Sequence, residues 1–335
     1  MRALLKRTET YVFLAIVVFS VTITSINPNF FSLENLFDLL KSYSLVGILS
    51  AGVLMVIISG GIDISFMAIL MVAEYSTVLM LSRFGGNMAM AFIIAGTIGI
   101  ILGIMNALLI HTFRIPTIIA TIATMNIYYG ILIMATGGKW IYTLPENFRS
   151  FALIQVFTIR TASGSTYGLS IVTVLWFAVL ALTAFILRYT MMGRSLYALG
   201  GCGTNRSPAL RAGLNVLKIQ VFVYAYMGLL AGIAGIVQAL LVQTVAPNST
   251  VGKELNVIAA VVLGGTSISG GTGTVLGAVL GVTLLAILNN GLTLMRVPSY
   301  WYDVLIGIVI IVSVAVSALQ GRQKKRRAIE IEEKA

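Results

Sequence analysis

Residues 255–295 contain no charged side chain, and 84–113, 115–138, 161–187 and 219–252 are equally free of Asp, Glu, Lys and Arg. A helix needs about 20 apolar residues to cross a bilayer. The longest run is therefore long enough for two crossings, and each of the others for at least one. Lipid offers the backbone no hydrogen-bond partner, so such segments must be helices or closed barrels, and these runs are too long for barrel strands. Hydrophobic residues make up 58% of the chain and charged ones 10%, against about 25% charged in an ordinary soluble domain. The expected fold is an all-α polytopic membrane protein, one integral domain over 1–335.

A ten-span model places helices near 11–26, 43–59, 64–82, 88–111, 115–135, 168–187, 217–240, 254–264, 272–294 and 302–319. Both termini then lie in the cytoplasm. Fifteen of the 22 Lys and Arg residues fall on that side, including Arg2, Lys6, Arg7, Arg114, Arg188, Arg194, Arg206, Arg211 and Lys218. The bias agrees with the positive-inside rule and accounts for the net charge of +11 without a nucleic-acid partner. The basic tail, 320–335, reads as a stop-transfer anchor against membrane lipid. The basic N-terminus followed by an apolar stretch resembles a signal sequence but lacks a small-residue cleavage site, so it reads as an uncleaved first span.

Two segments on the opposite side exceed simple turns. Residues 137–167 include a short apolar patch, 151–159, which is too short to span and reads as an interfacial or re-entrant piece. Residues 245–256 are the second. The eighth span, 254–264, is short and closely followed by Gly264, Gly265, Gly270, Gly271 and Gly273, a pattern of short re-entrant or broken helices. Gly60-Gly61-Ile62-Asp63-Ile64-Ser65 and Gly264-Gly265-Thr266-Ser267-Ile268-Ser269 resemble each other, as two related halves of a repeat would. Glycines spaced by four (99 and 103, 228 and 232, 273, 277 and 281) put flat stripes on helix faces, which allow close packing within one bundle or between subunits.

Several chemistries are missing. There is no GxxxxGK[ST] loop to hold a nucleotide, no HExxH motif, no nucleophile elbow and no catalytic pair of carboxylates, so nothing marks the chain as an enzyme. The single cysteine, Cys202, and single histidine, His111, exclude an intrachain disulfide and a Cys- or His-cluster metal site. No cofactor is implied. Asp63, Glu74 and Asp303 are the acids in or at the edge of the spans. Glu74 either lines a pathway, pairs with Arg83 or bonds a hydroxyl.

Residues 193–215, GRSLYALGGCGTNRSPALRAGLN, form a basic loop between apolar segments. Ser207 is a suitable helix N-cap, Pro208 fits the first helical position, and Gly213 is a suitable stop. A helix inside the loop at 189–217 has the makings of a docking surface.

Four segments together resemble the permease subunit of bacterial ABC importers for ribose and other simple sugars. These are GGIDIS at 60–65, RIPTIIATIATMNIYYGI at 114–131, GRSLYALGG at 193–201, and VVLGGTSISGGTGTVLGAVLG at 261–281 with Asn290-Gly291 beyond it. The last segment keeps seven glycines in register with that family. The resemblance implies a multi-pass subunit of the bacterial inner membrane, a cytoplasmic ABC ATPase as partner, a periplasmic sugar-binding protein, and a second permease copy or homologue. It also implies that Asn205, Pro208, Ala209, Arg211 and Gly213 form the element that docks in the ATPase. The chain departs from the pattern at several places. Three extra residues separate Gly201 from Asn205, and Pro208 stands where alanine is usual. Phe66 and Met67 replace small residues, Tyr129 replaces an arginine and Thr117 a proline. Glu74 occupies a position expected to be small and apolar. TGGKWI at 136–141 is similar to the branch that imports autoinducer-2.

A sugar pathway requires hydrogen-bonding groups and a stacking ring among apolar walls. The candidates are Glu74, Asn106, Thr121, Asn126, Tyr128, Gln238, Gln243, Asn289 and Asn290, each of which also fits ordinary helix–helix hydrogen bonding. Permeases for autoinducer-2, nucleosides or branched-chain amino acids, and a stand-alone secondary carrier, are the competing readings.

Overall fold

The computed structural model describes residues 8–160, 166–203, 207–298, 300–308 and 311. Arg2, Lys6 and Arg7, Asn205 and Arg206, most of the tenth expected span and the tail 320–335 lie outside the described residues.

Thirteen α-helices follow in order among the described residues: α1 (Thr8–Ile26), α2 (Leu33–Ser42), α3 (Ser44–Ile58), α4 (Phe66–Phe84), α5 (Met88–Phe113), α6 (Thr117–Thr136), α7 (Glu146–Ala152), α8 (Ile171–Tyr189), α9 (Met191–Gly201), α10 (Ser207–Arg211), α11 (Val216–Val242), α12 (Glu254–Leu263) and α13 (Val275–Leu294). A short 3-10 turn, Pro28–Phe31, joins α1 to α2. Seven helices are long and apolar enough to span a membrane: α1, α4, α5, α6, α8, α11 and α13. The pair α2 and α3, bent by 48° at Tyr43, would make an eighth. Helix α12 has ten residues and cannot cross by itself. Residues 300–308 are helical where the tenth span was expected to begin.

Polar caps set the helix starts. The side chains of Ser32, Asn87, Thr190, Asn215 and Thr274 each accept a backbone N–H from the first turn of the helix they precede. The first amides of a helix have no partner within it, and inside a membrane water does not replace one. Several ends are closed by a residue in the left-handed region, including Gly137 (φ 59°) and Gln243 (φ 58°).

The centre is a crossing of α5 and α11 at backbone distance. Gly99 faces the Gly228 carbonyl, Gly103 faces the Tyr224 carbonyl, and Gly232 faces the Ala95 carbonyl, so a methyl group at any of the three would overlap backbone. The two glycine stripes thus serve packing within one chain. Helix α3 is buried almost throughout, from Gly47 to Ile58, with α11, α12, α13, α8 and α9 around it. That is why its apolar residues show no one-sided periodicity.

The structure corrects the sequence reading in three places. The fold is not purely helical: residues 155–160 form β1 (Gln155–Arg160), paired antiparallel with β2 (Thr166–Ser170). The patch at 151–159, expected to be an interfacial or re-entrant piece, is the end of α7 and one arm of a hairpin. Alternation of Val156, Thr158 and Arg160 with Phe157 and Ile159 carried that signal. Residues 28–42, left between the first two expected spans without an assigned element, contain α2. The two GG segments share a helix C-cap, but one residue out of the expected register. Gly60 (φ 81°) corresponds to Gly265 (φ 92°), and each amide bonds the carbonyl three residues back, Ile57 and Val262 respectively. A helix that ends in glycine commonly adopts this cap, so the likeness belongs to the cap.

Gly99→Val is expected to separate α5 from α11 and to cost about 1–3 kcal/mol or more, as overpacking does. A lower thermal midpoint and loss of monodispersity in detergent would be the readout. Gly130→Val, where no atom lies within 4 Å of an added Cβ, should leave both unchanged.

Candidate functional site

Helix α10 stands at one end of the bundle with the turns at 59–65, 114–116 and 264–274. Its C-terminus is closed by Gly213, at φ 76°. The Gly213 amide donates to the Leu210 carbonyl (3.0 Å) and the Leu214 amide to the Ala209 carbonyl (3.1 Å). This pair of bonds, with glycine in the left-handed conformation, is the Schellman arrangement. Ala209 is buried, whereas Ser207, Pro208, Leu210, Arg211, Ala212 and Gly213 are exposed. One small side chain anchors the helix, and the rest form a convex apolar and basic surface. Four of the five residues expected to dock (Pro208, Ala209, Arg211, Gly213) are thus brought together; Asn205 lies outside the described residues.

Helix α9, just before α10, is locked into two turns at once. A methyl group at Gly200 would overlap the Ile58 carbonyl and the Gly271 amide. The Gly271 amide itself donates to the Ile58 carbonyl at 2.9 Å. Gly60 lies against the Gly200 Cα, and Gly270 against Gly60, with Gly60, Gly270 and Gly271 all at φ between 74° and 85°. The Tyr197 hydroxyl donates to the Gly273 carbonyl (2.8 Å). Three turns of backbone therefore meet with no side chain between them: the end of α3, the end of α9, and the loop between α12 and α13.

The turn from α3 to α4 is held from its other side by a buried polar chain. The Ser65 amide and hydroxyl both donate to Asp63 Oδ1, at 2.8 and 2.6 Å. Asn106 Nδ2 donates to Ser65 Oγ (2.7 Å), and the Tyr128 hydroxyl donates to Asn106 Oδ1 (3.0 Å). The Ile62 and Ile64 amides donate to Thr117 and Thr121 Oγ1. Burial pushes the Asp63 carboxyl up to about 6, against the opposing pull of the two Ser65 bonds.

The expected pathway residues divide by what they touch. Asn106, Thr121 and Tyr128 belong to this chain of bonds. Asn290 exchanges two side-chain hydrogen bonds with Asn35 (2.7 and 3.1 Å), and Asn289 bonds the Tyr302 hydroxyl. Both help fasten α2 and residues 300–308 to α13. Gln243 donates to the Leu240 carbonyl within its own helix end. Asn126 is exposed on α6 among Ile119, Ile122 and Ile127, its amide N–H donating to Ile122. Gln238 is buried on α11. Glu74 is 1% exposed, its backbone and Cβ against Gly235 of α11, and neither carboxylate oxygen has a partner among the described residues. The neighbouring Thr77 hydroxyl, one helical turn on, is also buried and unpartnered. Arg83 is not its partner.

Sequence reasoning missed a second unpaired cluster. Residues 245–247 and Thr250, within the segment 245–256, are buried in the protein. Ser249 Oγ, Thr250 Oγ1 and Glu254 Oε2 are buried there without partners, at the start of the half-length α12. Glu254 opening a short helix was the one available sign. Likewise, His111 Nδ1 lies 3.0 Å from Gln220 Oε1, which ties α5 to α11 at the α10 end.

A bundle of apolar helices long enough to span, with a small exposed helix beside one that is tied to backbone turns at one end, is the architecture of an integral membrane protein. Comparison with known proteins makes this specific. The family model described as branched-chain amino acid transport system / permease component matches residues 35–314. The chain is 34% identical to the autoinducer 2 import system permease protein LsrC of Yersinia pseudotuberculosis serotype O:1b (strain IP 31758), over 89% of this chain and 81% of that protein. It is 33% identical to the ribose import permease protein RbsC of Haemophilus influenzae, over 93% and 94% of the two chains. The corresponding protein of Escherichia coli K12 is 32% identical over 90% and 91%. No solved structure matches. The chain belongs to this permease family, and it is a permease subunit of an ABC importer in the inner membrane.

The raised carboxyl of Asp63 sets a pH dependence. A folded state that holds the proton more tightly than the unfolded chain gains stability below the ordinary carboxylate range and loses it as pH rises through about 6. The thermal midpoint of the wild type, relative to Asp63→Asn, is therefore expected to fall between about pH 4 and 6 and to level off above that. A constant difference across that window would show that Asp63 stays ionised throughout.

Proposed function

We propose that this chain forms the translocation pathway of an ATP-driven importer for a ribose-like monosaccharide or related small polyol. In this reading the chain makes ten crossings with both termini in the cytoplasm. The α10 surface docks in a separate cytoplasmic ATPase, and an extracytoplasmic binding protein delivers the sugar to segments 137–167 and 243–256. A second permease subunit, identical or homologous, completes the pathway.

The glycine junction is the observation that supports coupling. Helix α9 contacts the ends of α3 and the α12–α13 loop through backbone, so a displacement of the α9–α10 unit has no soft side chain in which to dissipate. Nucleotide binding by the ATPase would favour one position of α10 and so shift the bundle between inward- and outward-facing states. Among the pathway candidates, Glu74, Asn126 and Gln238 are the ones this reading favours for sugar contact. They keep hydrogen-bonding capacity that the fold does not use. Asn106, Thr121, Tyr128, Gln243, Asn289 and Asn290 would serve by holding the turns and helix ends that frame the path. Autoinducer-2 is the second substrate reading, favoured by the likeness to LsrC and by the TGGKWI segment.

Uptake of labelled ribose and of autoinducer-2 by proteoliposomes holding the complete complex separates the two substrates. In the same assay, Arg211→Ala with Gly213→Val is expected to lower uptake by about tenfold, the scale of a lost coupling free energy, while insertion into the membrane is unchanged. Undiminished uptake would remove the docking role from α10. Glu74→Gln keeps the volume and removes the charge. Altered KM or kcat for uptake is expected if Glu74 faces the path, and wild-type kinetics with a higher thermal midpoint would make it a structural residue.

A further inference from the structure

The end of the molecule opposite α10 carries a cleft of about 270 Å3 between α2 and the β1–β2 hairpin. Its walls include Glu34, Asp38 and Lys41 of α2, and Gln155, Tyr167 and Ser170 of the hairpin. Asp38 and Lys41 stand one helical turn apart with the acid N-terminal to the base, a spacing that favours an ion pair. They make none, and among the described residues neither they nor Glu34 has a side-chain hydrogen bond. Two negative groups and one positive group thus face the same space unpaired.

Ser170 gives an independent sign of a missing ligand. It occupies the N-cap position of α8, a helix of 19 residues, yet its hydroxyl does not cap that helix. The residue is 4% exposed, and the hydroxyl has no partner among the described residues. A buried hydroxyl without a partner is costly, and the amides at the start of α8 add positive potential beside it. Leu153, just after α7, lines the cleft and is exposed, and exposed apolar side chains also occur on the two elements that form it, Leu33 and Leu36 on α2 and Val156 and Phe157 on β1. In water such a patch is unfavourable, whereas at a bilayer interface it meets acyl chains.

We propose that this cleft binds the headgroup of a zwitterionic phospholipid carrying a primary ammonium, of the ethanolamine type. The ammonium sits against the Glu34 and Asp38 carboxylates. The phosphate sits toward Lys41 and the Ser170 hydroxyl, and the acyl chains leave past the exposed Leu153. A sugar offers neither charge, and an anionic lipid would leave both carboxylates unanswered. The proposal requires only that the chain spans a membrane and is independent of the transported substrate.

Native mass spectrometry of the purified complex, delipidated and then offered equal phosphatidylethanolamine and phosphatidylglycerol, tests it. The expected result is a preference of about three- to fivefold for phosphatidylethanolamine, the range that partly screened ion pairs provide. Glu34→Gln with Asp38→Asn, both exposed positions, should bring the ratio to about one without loss of the folded complex. Equal retention of the two lipids by the wild type, or an unchanged preference in the double variant, would overturn the assignment. So would a double variant that keeps its lipid preference but loses stimulation of ATP hydrolysis by the binding protein. That result would give the cleft to a basic side chain of the protein partner.

Discussion

Close approach of backbone to backbone is the constraint on which this structure depends. Between helices in a membrane the hydrophobic effect contributes little, because lipid tails are as apolar as leucine. Association must come from packing and from hydrogen bonds, and both improve when no side chain holds the helices apart. The crossing of α5 and α11 through Gly99, Gly103, Gly228 and Gly232 fixes the centre of the bundle. The other elements take position around it, including α4 with its buried Glu74 against Gly235. At the α10 end the same device joins three separate turns through Gly60, Gly200, Gly270 and Gly271.

The second requirement is that buried polar groups find partners. It is largely met at the turn between α3 and α4, where Asp63 Oδ1, Ser65, Asn106 and Tyr128 form a continuous chain and Thr117 and Thr121 receive the backbone amides, Asp63 Oδ2 alone being left without a partner there among the described residues. It is met again where Asn35 and Asn290 clasp α2 to α13. Against this background the unpaired groups stand out. Glu74 with Thr77, and Ser249 with Thr250 and Glu254, are buried polar atoms that the fold leaves without partners. They are joined by Asp63 Oδ2, Ser170, Trp176 and Thr266, and buried polar groups without partners are uncommon enough that each calls for an explanation.

The helices that span were legible because their signal is composition over some twenty residues, which tertiary packing cannot override. Nine of the ten expected spans match an observed helix to within a few residues at both ends, the tenth matches at its start, and Gly213 marked the end of α10 through its left-handed conformation. The parts that were not legible depend on partners distant in sequence. The hairpin arm 155–160 is apolar enough to pass for a membrane dip, and only its pairing with 166–170 makes it a strand. The amphipathic α2 is short and carries three charges, so a search for long uncharged runs passes over it. Asn290 was visible as a polar residue in an apolar span. Its engagement with Asn35, 255 residues away, was not.

If α10 docks in an ATPase as proposed, the glycine junction would let a small helix carry a large signal. Helix α10 has five residues and one buried side chain, so its own attachment to the bundle is weak. Its neighbour α9 is attached through backbone contacts and the bond from Tyr197 to Gly273, which tolerate no substitution at Gly200 and little change of angle. The two turns it grips belong to different parts of the bundle. One ends α3, which is buried along most of its length, and the other precedes α13, which packs on α1 and α12. A rotation of α9 must therefore move α3 and α13 together or break the Ile58–Gly271 bond. A rigid contact of this kind has two consistent arrangements or one, and has no continuum between them. That property suits the membrane part of a machine that must be open to one side or the other, never to both.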